Sequence, residues 1–234
     1  TLSRMVHFTL FGIPVYIRPS FWVVLAIFGG ALSISSVEDL IYPALFVIAG
    51  FIAILSHEMG HALVGRRLGG GQQTIVLELF GGLTSSHGMQ LTRGGRALMI
   101  LAGPMMTLLL GIISLWLTWN IVAPVMASHN LDFWDLAISP FTAALISPKL
   151  YILSCLIMIG EWWTLLNLLP IYPLDGGQLI AQYIRSPRKV FMTGFITAIL
   201  IGLLSFQLFH GYFIPIFMAL FAYSNYREYK NAPF

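Results

Sequence analysis

The sequence predicts an all-α polytopic membrane protein of six transmembrane helices with a small membrane-associated β-hairpin or sheet on the cytoplasmic side. Hydrophobic residues make up 58% of the 234 positions and charged residues only 9%, whereas a soluble domain usually carries about 25% charged residues. Long apolar runs also recur along the chain, and about 20 apolar residues are enough for a helix to cross a bilayer. The lipid bilayer is therefore a predicted partner of this chain.

Taken in order, the elements form one predicted domain, residues 1–234. An N-terminal amphiphilic hairpin is predicted around the turn signal Gly12-Ile13-Pro14. A second hairpin is predicted over residues 73–86, where β-branched and aromatic residues precede a turn or bulge at Gly81-Gly82. Residues 123–149 are predicted to form an interfacial loop. The six predicted spans cover residues 20–35, 41–68, 95–122, 150–169, 190–209 and 211–226.

The basic residues predict the orientation of these spans. If both termini are cytoplasmic, six spans place every one of the 12 Lys and Arg residues except Lys149 on the inner side. Such an excess of Lys and Arg is typical of cytoplasmic loops. The net charge of +3 is therefore explained by membrane topology, and no nucleic-acid partner is predicted.

The second predicted span carries the motif His57-Glu58-Met59-Gly60-His61. On a helix, His57 and His61 are four residues apart and share a face. Two imidazoles in this arrangement can bind one zinc ion, and the carboxylate between them can accept and donate protons. Ionisable groups inside a membrane cost roughly 2.5–3.5 kcal/mol each and indicate function by default. The alternative is a pair of buried structural histidines.

A third ligand candidate follows from the end of the fourth predicted span. Pro170 and Pro173 prevent a regular helix from continuing there, so Asp175 follows a helix break. His61 lies five residues before Arg66, or about 7–8 Å along a helix, which places the histidines nearer the cytoplasmic face. The predicted topology brings Asp175 to the same inner half of the membrane.

Two motifs together resemble the site-2 protease family of intramembrane zinc metalloproteases. The first is His57-Glu58-Met59-Gly60-His61, and the second runs from Asn167 to Gly176 and is similar to the family's N-x-x-P-x-x-x-L-D-G. Gly81-Gly82 after a short strand and Ala102-Gly103-Pro104 at the opening of a helix also fit. Because no PDZ-like insertion separates the motifs, the chain is similar to the minimal prokaryotic core of the family. Thr107 departs from the family's G-P-x-x-N pattern, and we interpret it as a packing change.

The resemblance implies a function and a set of site residues. His57, His61 and Asp175 would ligate one Zn²⁺, Glu58 would be the catalytic acid and base, and Asn167, Gly81 and Gly82 would bind the substrate. The expected activity is hydrolysis of peptide bonds within transmembrane segments of membrane-anchored proteins, in regulated intramembrane proteolysis. The expected location is a prokaryotic plasma membrane, with a transmembrane substrate and a regulatory membrane protein as partners.

Three alternatives remain open on the sequence alone. The hairpin over residues 73–86 is either a surface hairpin or a sheet edge that captures an extended substrate by strand addition. The chain as a whole could also be a catalytically inactive relative that binds membrane proteins, although Glu58 argues against that alternative. A metal transporter is a further alternative, but the first, fifth and sixth predicted spans are almost free of ligand-type residues.

Overall fold

The computed structural model describes residues 5–69, 71–79, 81–88, 90–129 and 133–233. The chain divides into two compact units, Thr1–Thr164 and Leu165–Phe234.

The first unit opens with a hairpin of strands β1 (Val6–Leu10) and β2 (Ile13–Ile17), which confirms the predicted N-terminal hairpin. Phe11 and Gly12 between the strands have φ angles of 51° and 75°. Positive φ at both central residues is typical of the two-residue turns that match the twist of a hairpin.

A second hairpin consists of β3 (Gln72–Glu78) and β4 (Gly81–His87). The hairpin itself is confirmed, but the turn or bulge predicted at Gly81-Gly82 is wrong, because the register of the two strands is continuous through both glycines. Gly81 pairs with Glu78, and Gly82 pairs with Leu77, so both glycines belong to β4. The prediction was wrong because a Gly-Gly pair is a common turn signal, whereas these glycines lie in a strand that other side chains approach closely.

The two hairpins join into one four-stranded sheet in the order β1-β2-β3-β4. Strands β2 and β3 pair in parallel, with Val15 opposite Ile75 and Ile17 opposite Leu77. This pairing joins segments separated by more than 50 residues, and no local pattern predicts it. One face of the sheet packs against the long helix Ile41–Gly69. The shared core includes Ile13, Val15, Ile17, Ile75 and Leu77 from the strands and Ile54, Leu55, Met59 and Ala62 from that helix.

Helices α1 (Pro19–Phe28) and α2 (Ile41–Gly69) connect the hairpins. The side chain of Leu25 lies against Gly50, and Gly29 lies against Phe46, so α1 runs antiparallel to α2. The helix expected over residues 20–35 is shorter than predicted. Its 10 residues reach about 15 Å at 1.5 Å per residue, and short 3₁₀ turns at Ala31–Ser33 and Glu38–Leu40 complete the path to α2.

The chain continues with helix α3 (Arg93–His129), the short helices α4 (Phe133–Ile138) and α5 (Pro140–Ala144), and helix α6 (Pro148–Asn167). The interfacial loop predicted over residues 123–149 is therefore wrong for much of its length. Local capping explains one of the added helices. Pro140 begins α5, and the Ser139 side chain accepts a hydrogen bond from the Thr142 backbone N–H, as an N-cap residue does.

The second unit contains the broken segment after α6 and three helices, α7 (Asp175–Ala181), α8 (Pro187–Phe209) and α9 (Phe213–Asn231). Gly194 lies against Asn225, and Gly202 lies against Met218, so α8 and α9 are antiparallel. Ile171 of the broken segment belongs to their common core with Ala198, Met218 and Ala222.

Four described helices are long and apolar enough to cross a membrane: Ile41–Gly69, Arg93–Ala123, Pro148–Asn167 and Pro187–Leu208. The predicted count of six spans is not confirmed. Helix α1 is too short for a bilayer core of about 30 Å. Helix α9 begins at Phe213 and ends in a polar stretch that includes Arg227, Glu228 and Lys230, so its apolar part is shorter than the roughly 20 residues that a span needs.

Candidate metal and catalytic site

The candidate site is built on the second half of α2. His57, Glu58 and His61 lie on this helix and are buried, with exposed fractions of 2%, 5% and 7%. The Nε2 atoms of His57 and His61 face each other at 3.1 Å, and the two rings are nearly perpendicular at 81°. The spacing of four residues thus brings two ligand atoms to one point, as the helical period requires.

The other nitrogen of His61 is held by the neighbouring helix. Its Nδ1 atom lies 2.8 Å from the backbone oxygen of Met99 on α3. A carbonyl oxygen can only accept, so Nδ1 carries the proton and Nε2 presents a lone pair. Metal-binding histidines are oriented by the same kind of hydrogen bond, and the neutral tautomer required of a ligand is the one that this contact selects.

Glycines allow the helix that carries Met99 to approach this closely. A Cβ atom on Gly60 of α2 would overlap the backbone oxygen of Ala102 on α3. Similarly, a Cβ atom on Gly103 would overlap Nε2 of His61 and lie 2.9 Å from Nε2 of His57. Gly103 therefore leaves open the space in front of both ligand atoms.

The histidine pair fits a zinc ion. Two imidazole nitrogens that share a tetrahedral zinc at 2.0–2.1 Å are about 3.3 Å apart, close to the observed 3.1 Å. The nitrogen donors, their burial and the hydrogen bond to Met99 are all features of protein zinc sites.

Glu58 lies against β4. Its Oε2 atom accepts a hydrogen bond of 2.7 Å from the Thr84 hydroxyl. A Cβ atom on Gly82 would overlap the Glu58 side chain, so the absence of a side chain at Gly82 gives the carboxylate its place. Gly82 and Thr84 are two residues apart in a strand and therefore point to the same face of the sheet.

Trp163 of α6 forms another wall of the site. Its ring lies edge-on to His57 with 6.5 Å between centroids. The same ring occupies the place that a side chain at Gly81 would take. Gly81 also has a φ of 123°, a conformation that favours glycine over residues with side chains.

Thr107 has a packing role, in agreement with the interpretation of this departure from the family pattern. Its hydroxyl lies 2.8 Å from that of Thr164 on α6 and donates to the Pro104 backbone oxygen at 3.0 Å. Thr107 thereby links α3 and α6 next to the Gly103-Pro104 pair.

In the second unit, Asn167 is the last residue of α6 and Asp175 the first residue of α7. Both are buried. The predicted helix break separates them. Gly176 and Gly177 pack so closely on the backbone of Leu168–Tyr172 that a Cβ atom on either would overlap it. The break is thus a compact structure that gives Asp175 a defined backbone position.

The structure brings five of the seven predicted site residues together in the first unit: His57, Glu58, His61, Gly81 and Gly82. The sequence interpretation missed Thr84, Trp163 and the contact of Gly103 with the histidines. No local sequence signal identifies either side chain, because the contact of Thr84 depends on how β4 lies against α2 and the position of Trp163 depends on how α6 packs.

Comparison with known proteins identifies a family for this chain. Residues 45–209 match the model of peptidase family M50. The chain is 27% identical over 227 residues to the zinc metalloprotease MJ0392 of Methanocaldococcus jannaschii, covering 92% of this chain and 57% of that relative. It is also 29% identical over 188 residues to a protein of Synechocystis sp., and spans 43% of that protein's length. The chain thus spans about half the length of these curated relatives.

The fold also has a counterpart among solved structures. The site-2 protease from Methanocaldococcus jannaschii superposes with a TM-score of 0.61 at 23% sequence identity, over 96% of this chain and 95% of that one. The four span-capable helices and the family match make this chain an integral membrane protein. Since the family match covers more than half of its residues, the chain belongs to peptidase family M50, the site-2 protease family of zinc metalloproteases.

Proposed function

We propose that this chain is an intramembrane zinc metalloprotease that hydrolyses peptide bonds within the transmembrane segments of membrane-anchored proteins. The observation that carries the proposal is a carboxylate, Glu58, buried beside two histidines whose Nε2 atoms face each other at 3.1 Å. These residues lie on a helix that is long and apolar enough to span a membrane. Ionisable groups are rarely placed there without a function.

The proposed ligands of one zinc ion are His57, His61 and Asp175. All three side chains are buried, each within its own unit. Two imidazoles and a carboxylate are a common ligand set of catalytic zinc, which keeps its fourth position open. The family match and the name of the archaeal relative support zinc as the metal.

The side chains have separate roles in the proposed reaction. When bound, zinc supplies a Lewis acid that polarises the scissile carbonyl and lowers the pKa of water to about 7. Glu58 accepts the proton of the attacking water and passes it to the leaving amine. The Asn167 side chain is proposed to donate a hydrogen bond to the substrate backbone or to the developing oxyanion.

The substrate must present an extended backbone, because a helix hides its amides in internal hydrogen bonds. Strand β4 is a suitable place to hold it. In the described part of the chain, β4 pairs with β3 on one side and ends the sheet on the other, and it contacts Glu58 through Gly82 and Thr84. We therefore propose that the unwound substrate pairs with the free edge of β4, beside Gly81 and Gly82.

The proposal is tested with purified wild-type protein and Glu58→Gln in proteoliposomes. Zinc content is measured by elemental analysis, and cleavage is measured on a single-span test substrate. Glu58→Gln should bind zinc as the wild type does and lose cleavage by at least about 10³-fold, because the amide cannot take the water's proton.

The outcomes separate this proposal from the alternatives. Zinc binding without cleavage in the wild-type protein would indicate a catalytically inactive binding protein. Zinc uptake into the vesicles, equal in wild type and Glu58→Gln, would indicate a transporter. Cleavage that survives in Glu58→Gln would remove Glu58 from the mechanism. For Asp175, stoichiometric zinc in Asp175→Ala would remove it from the ligand set.

A further inference from the structure

We propose that Thr84 is a positioning residue that orients the Glu58 carboxylate for proton transfer. This inference rests on the proposed function and deepens it. The Thr84 hydroxyl lies 2.7 Å from Glu58 Oε2 and 3.1 Å from the Glu58 backbone oxygen. Neither the catalytic motif of α2 nor the second motif includes this residue.

The hydroxyl proton goes to the carboxylate. A threonine hydroxyl has one proton to donate, and of its two acceptors the carboxylate oxygen is the nearer one. Hydrogen bonds to an ionised carboxylate are also shorter and stronger than those to a neutral carbonyl. The contact to Glu58 Oε2 is therefore the one that this hydroxyl maintains.

Strand β4 orients the carboxylate at two points. At Thr84 a hydroxyl holds Oε2. At Gly82, two residues earlier on the same face, a Cβ atom would come within 2.6 Å of Oε1. The carboxylate thus lies along the strand with one oxygen tethered and the other in the space that glycine leaves free.

This arrangement matters because a glutamate side chain has several rotatable bonds. A free Glu58 would sample rotamers in which neither oxygen points toward the reacting water, and catalytic groups must be held within about 0.5 Å of their productive position. Helix α2 fixes the backbone of Glu58, whereas the tether to Thr84 fixes its far end. The strand proposed to pair with the substrate is therefore also the strand that holds the base, so one element sets the position of both.

The alternative is that Thr84 is only a good strand residue. Three substitutions separate the two roles. Thr84→Val keeps the size and β-propensity but removes the hydroxyl. Thr84→Ser keeps the hydroxyl and loses the methyl group. Ser85→Ala is the matched control, because it removes the hydroxyl of the next residue, which points to the opposite face of β4.

The variants are compared as full chains in proteoliposomes with the single-span substrate. We expect Thr84→Val to lower kcat by about 10- to 100-fold with KM within about twofold, which is part of the roughly 10²- to 10⁴-fold that a positioned proton-transfer group contributes. Zinc content should stay at the wild-type level. Thr84→Ser should retain kcat within about threefold of the wild type, and Ser85→Ala should match the wild type.

A second readout does not need the zinc-loaded enzyme. Infrared difference spectra of zinc-free wild type against Glu58→Gln isolate the carboxylate band of Glu58. This band should shift in Thr84→Val, because the hydrogen bond to Oε2 is lost, and should keep its position in Thr84→Ser and Ser85→Ala. The spectrum also decides the question if Thr84→Val folds poorly, since Thr84→Ser and Thr84→Ala can then be compared.

The result that overturns the proposal is a kcat for Thr84→Val within fivefold of the wild type, or equal losses in the Val and Ser variants. An unshifted Glu58 band in Thr84→Val also overturns it. These failures differ from failure of the proposed function, in which the wild type would not cleave the substrate or Glu58→Gln would cleave it as the wild type does.

Discussion

At the scale of single residues, the site depends on side chains that are absent as much as on those that are present. Gly82 leaves space for Glu58, and Gly103 leaves space in front of His57 and His61. Each glycine is thereby tied to a different function. Loss of space at Gly103 affects the metal ligands, whereas loss of space at Gly82 affects the catalytic base, so the two substitutions should have separable effects.

We expect Gly103→Ala to lose zinc. The added methyl group would overlap His61 Nε2 and crowd His57 Nε2, and both are proposed ligand atoms. Because disturbing the surroundings of ligands alone costs about 10- to 100-fold in metal affinity, a methyl group at the ligand atoms should cost at least 100-fold. Competition with a chelator of known affinity measures the loss.

Gly111→Ala is the matched control for this prediction. Gly111 lies on the same helix, and a Cβ atom there would have no neighbour within 4 Å. It should bind zinc as the wild type does. Equal zinc affinity in Gly103→Ala and Gly111→Ala would show that the space at Gly103 has no part in the metal site.

Gly82→Ala should show the opposite pattern. The three atoms nearest to its methyl group would all belong to the Glu58 side chain, so zinc affinity should stay within about threefold while kcat falls at least about 100-fold. Zinc titration and initial-rate measurements on the same preparation test this. A parallel loss of zinc and activity would mean that Gly82 supports the fold of the site and not the base alone.

At the scale of elements, the broken segment between α6 and α7 is held by a residue distant in sequence. Asn225 of α9 is 1% exposed. Its Nδ2 donates to the Tyr172 backbone oxygen at 2.7 Å and to the Phe221 oxygen at 2.9 Å. Gly194 of α8 leaves the space for its Oδ1 atom. Helices α8 and α9 thus fix the segment that precedes Asp175.

Asn225→Leu should therefore weaken zinc binding by about 10-fold or more. The substitution leaves the buried Tyr172 oxygen without its donor, which costs about 1–3 kcal/mol, and the segment can relax by moving the backbone that carries Asp175. Asn120→Leu is the control, because Asn120 donates to the carbonyl four residues earlier, as Asn225 does, but lies at an exposed position. Chelator competition that gives both variants wild-type affinity would contradict this role of Asn225.

Local sequence patterns predicted the elements that depend only on nearby residues. Hydropathy predicted the span that forms α2, the two prolines predicted the break at Pro170–Pro173, and strand propensity predicted both hairpins. His57, Glu58 and His61 could be placed together because the helical period alone sets their spacing.

The features that escaped prediction depend on contacts between distant segments. The parallel pairing of β2 with β3 joins the hairpins across α1 and α2. This pairing fixes where β4 lies against α2, and hence the contacts of Gly82 and Thr84 with Glu58. The Gly81-Gly82 pair is predicted as a turn or bulge because Gly-Gly is a common turn signal. Glycine is needed at these two positions because the side chains of Trp163 and Glu58, which are distant in sequence, occupy the space that a Cβ atom would take.

At the scale of the whole molecule, the contacts at the two ends of α2 predict which end lies on which side of the membrane. The Arg66 guanidinium donates to the Phe11 backbone oxygen at 2.7 Å, so the N-terminal hairpin lies at the C-terminal end of α2. At the other end, Asp39 accepts hydrogen bonds from the backbone of Ser35 and Ser36. These bonds hold the pKa of Asp39 below its usual range, so a negative charge persists beside the start of α2.

These two ends should lie on opposite faces of the membrane. Helix α2 has 29 residues and is therefore about 43 Å long, which exceeds a hydrocarbon core of about 30 Å. Arg18 and Arg66 both lie at the sheet end, and Lys and Arg mark the cytoplasmic side. We therefore expect the sheet to be cytoplasmic and residues 35–39 to be external, even though α1 is too short to cross as a helix.

Single cysteines in a Cys155→Ser background test this arrangement with a membrane-impermeant maleimide. Ser36→Cys should react in intact spheroplasts, whereas His7→Cys and His87→Cys should react only in inverted vesicles. His7 and His87 lie on different hairpins, so their common side tests the joining of β2 and β3 as well as the orientation. If His7→Cys reacted from the same side as Ser36→Cys, residues 5–40 would all lie on one face. The parallel pairing that places Thr84 and Gly82 beside Glu58 could not then form in the membrane.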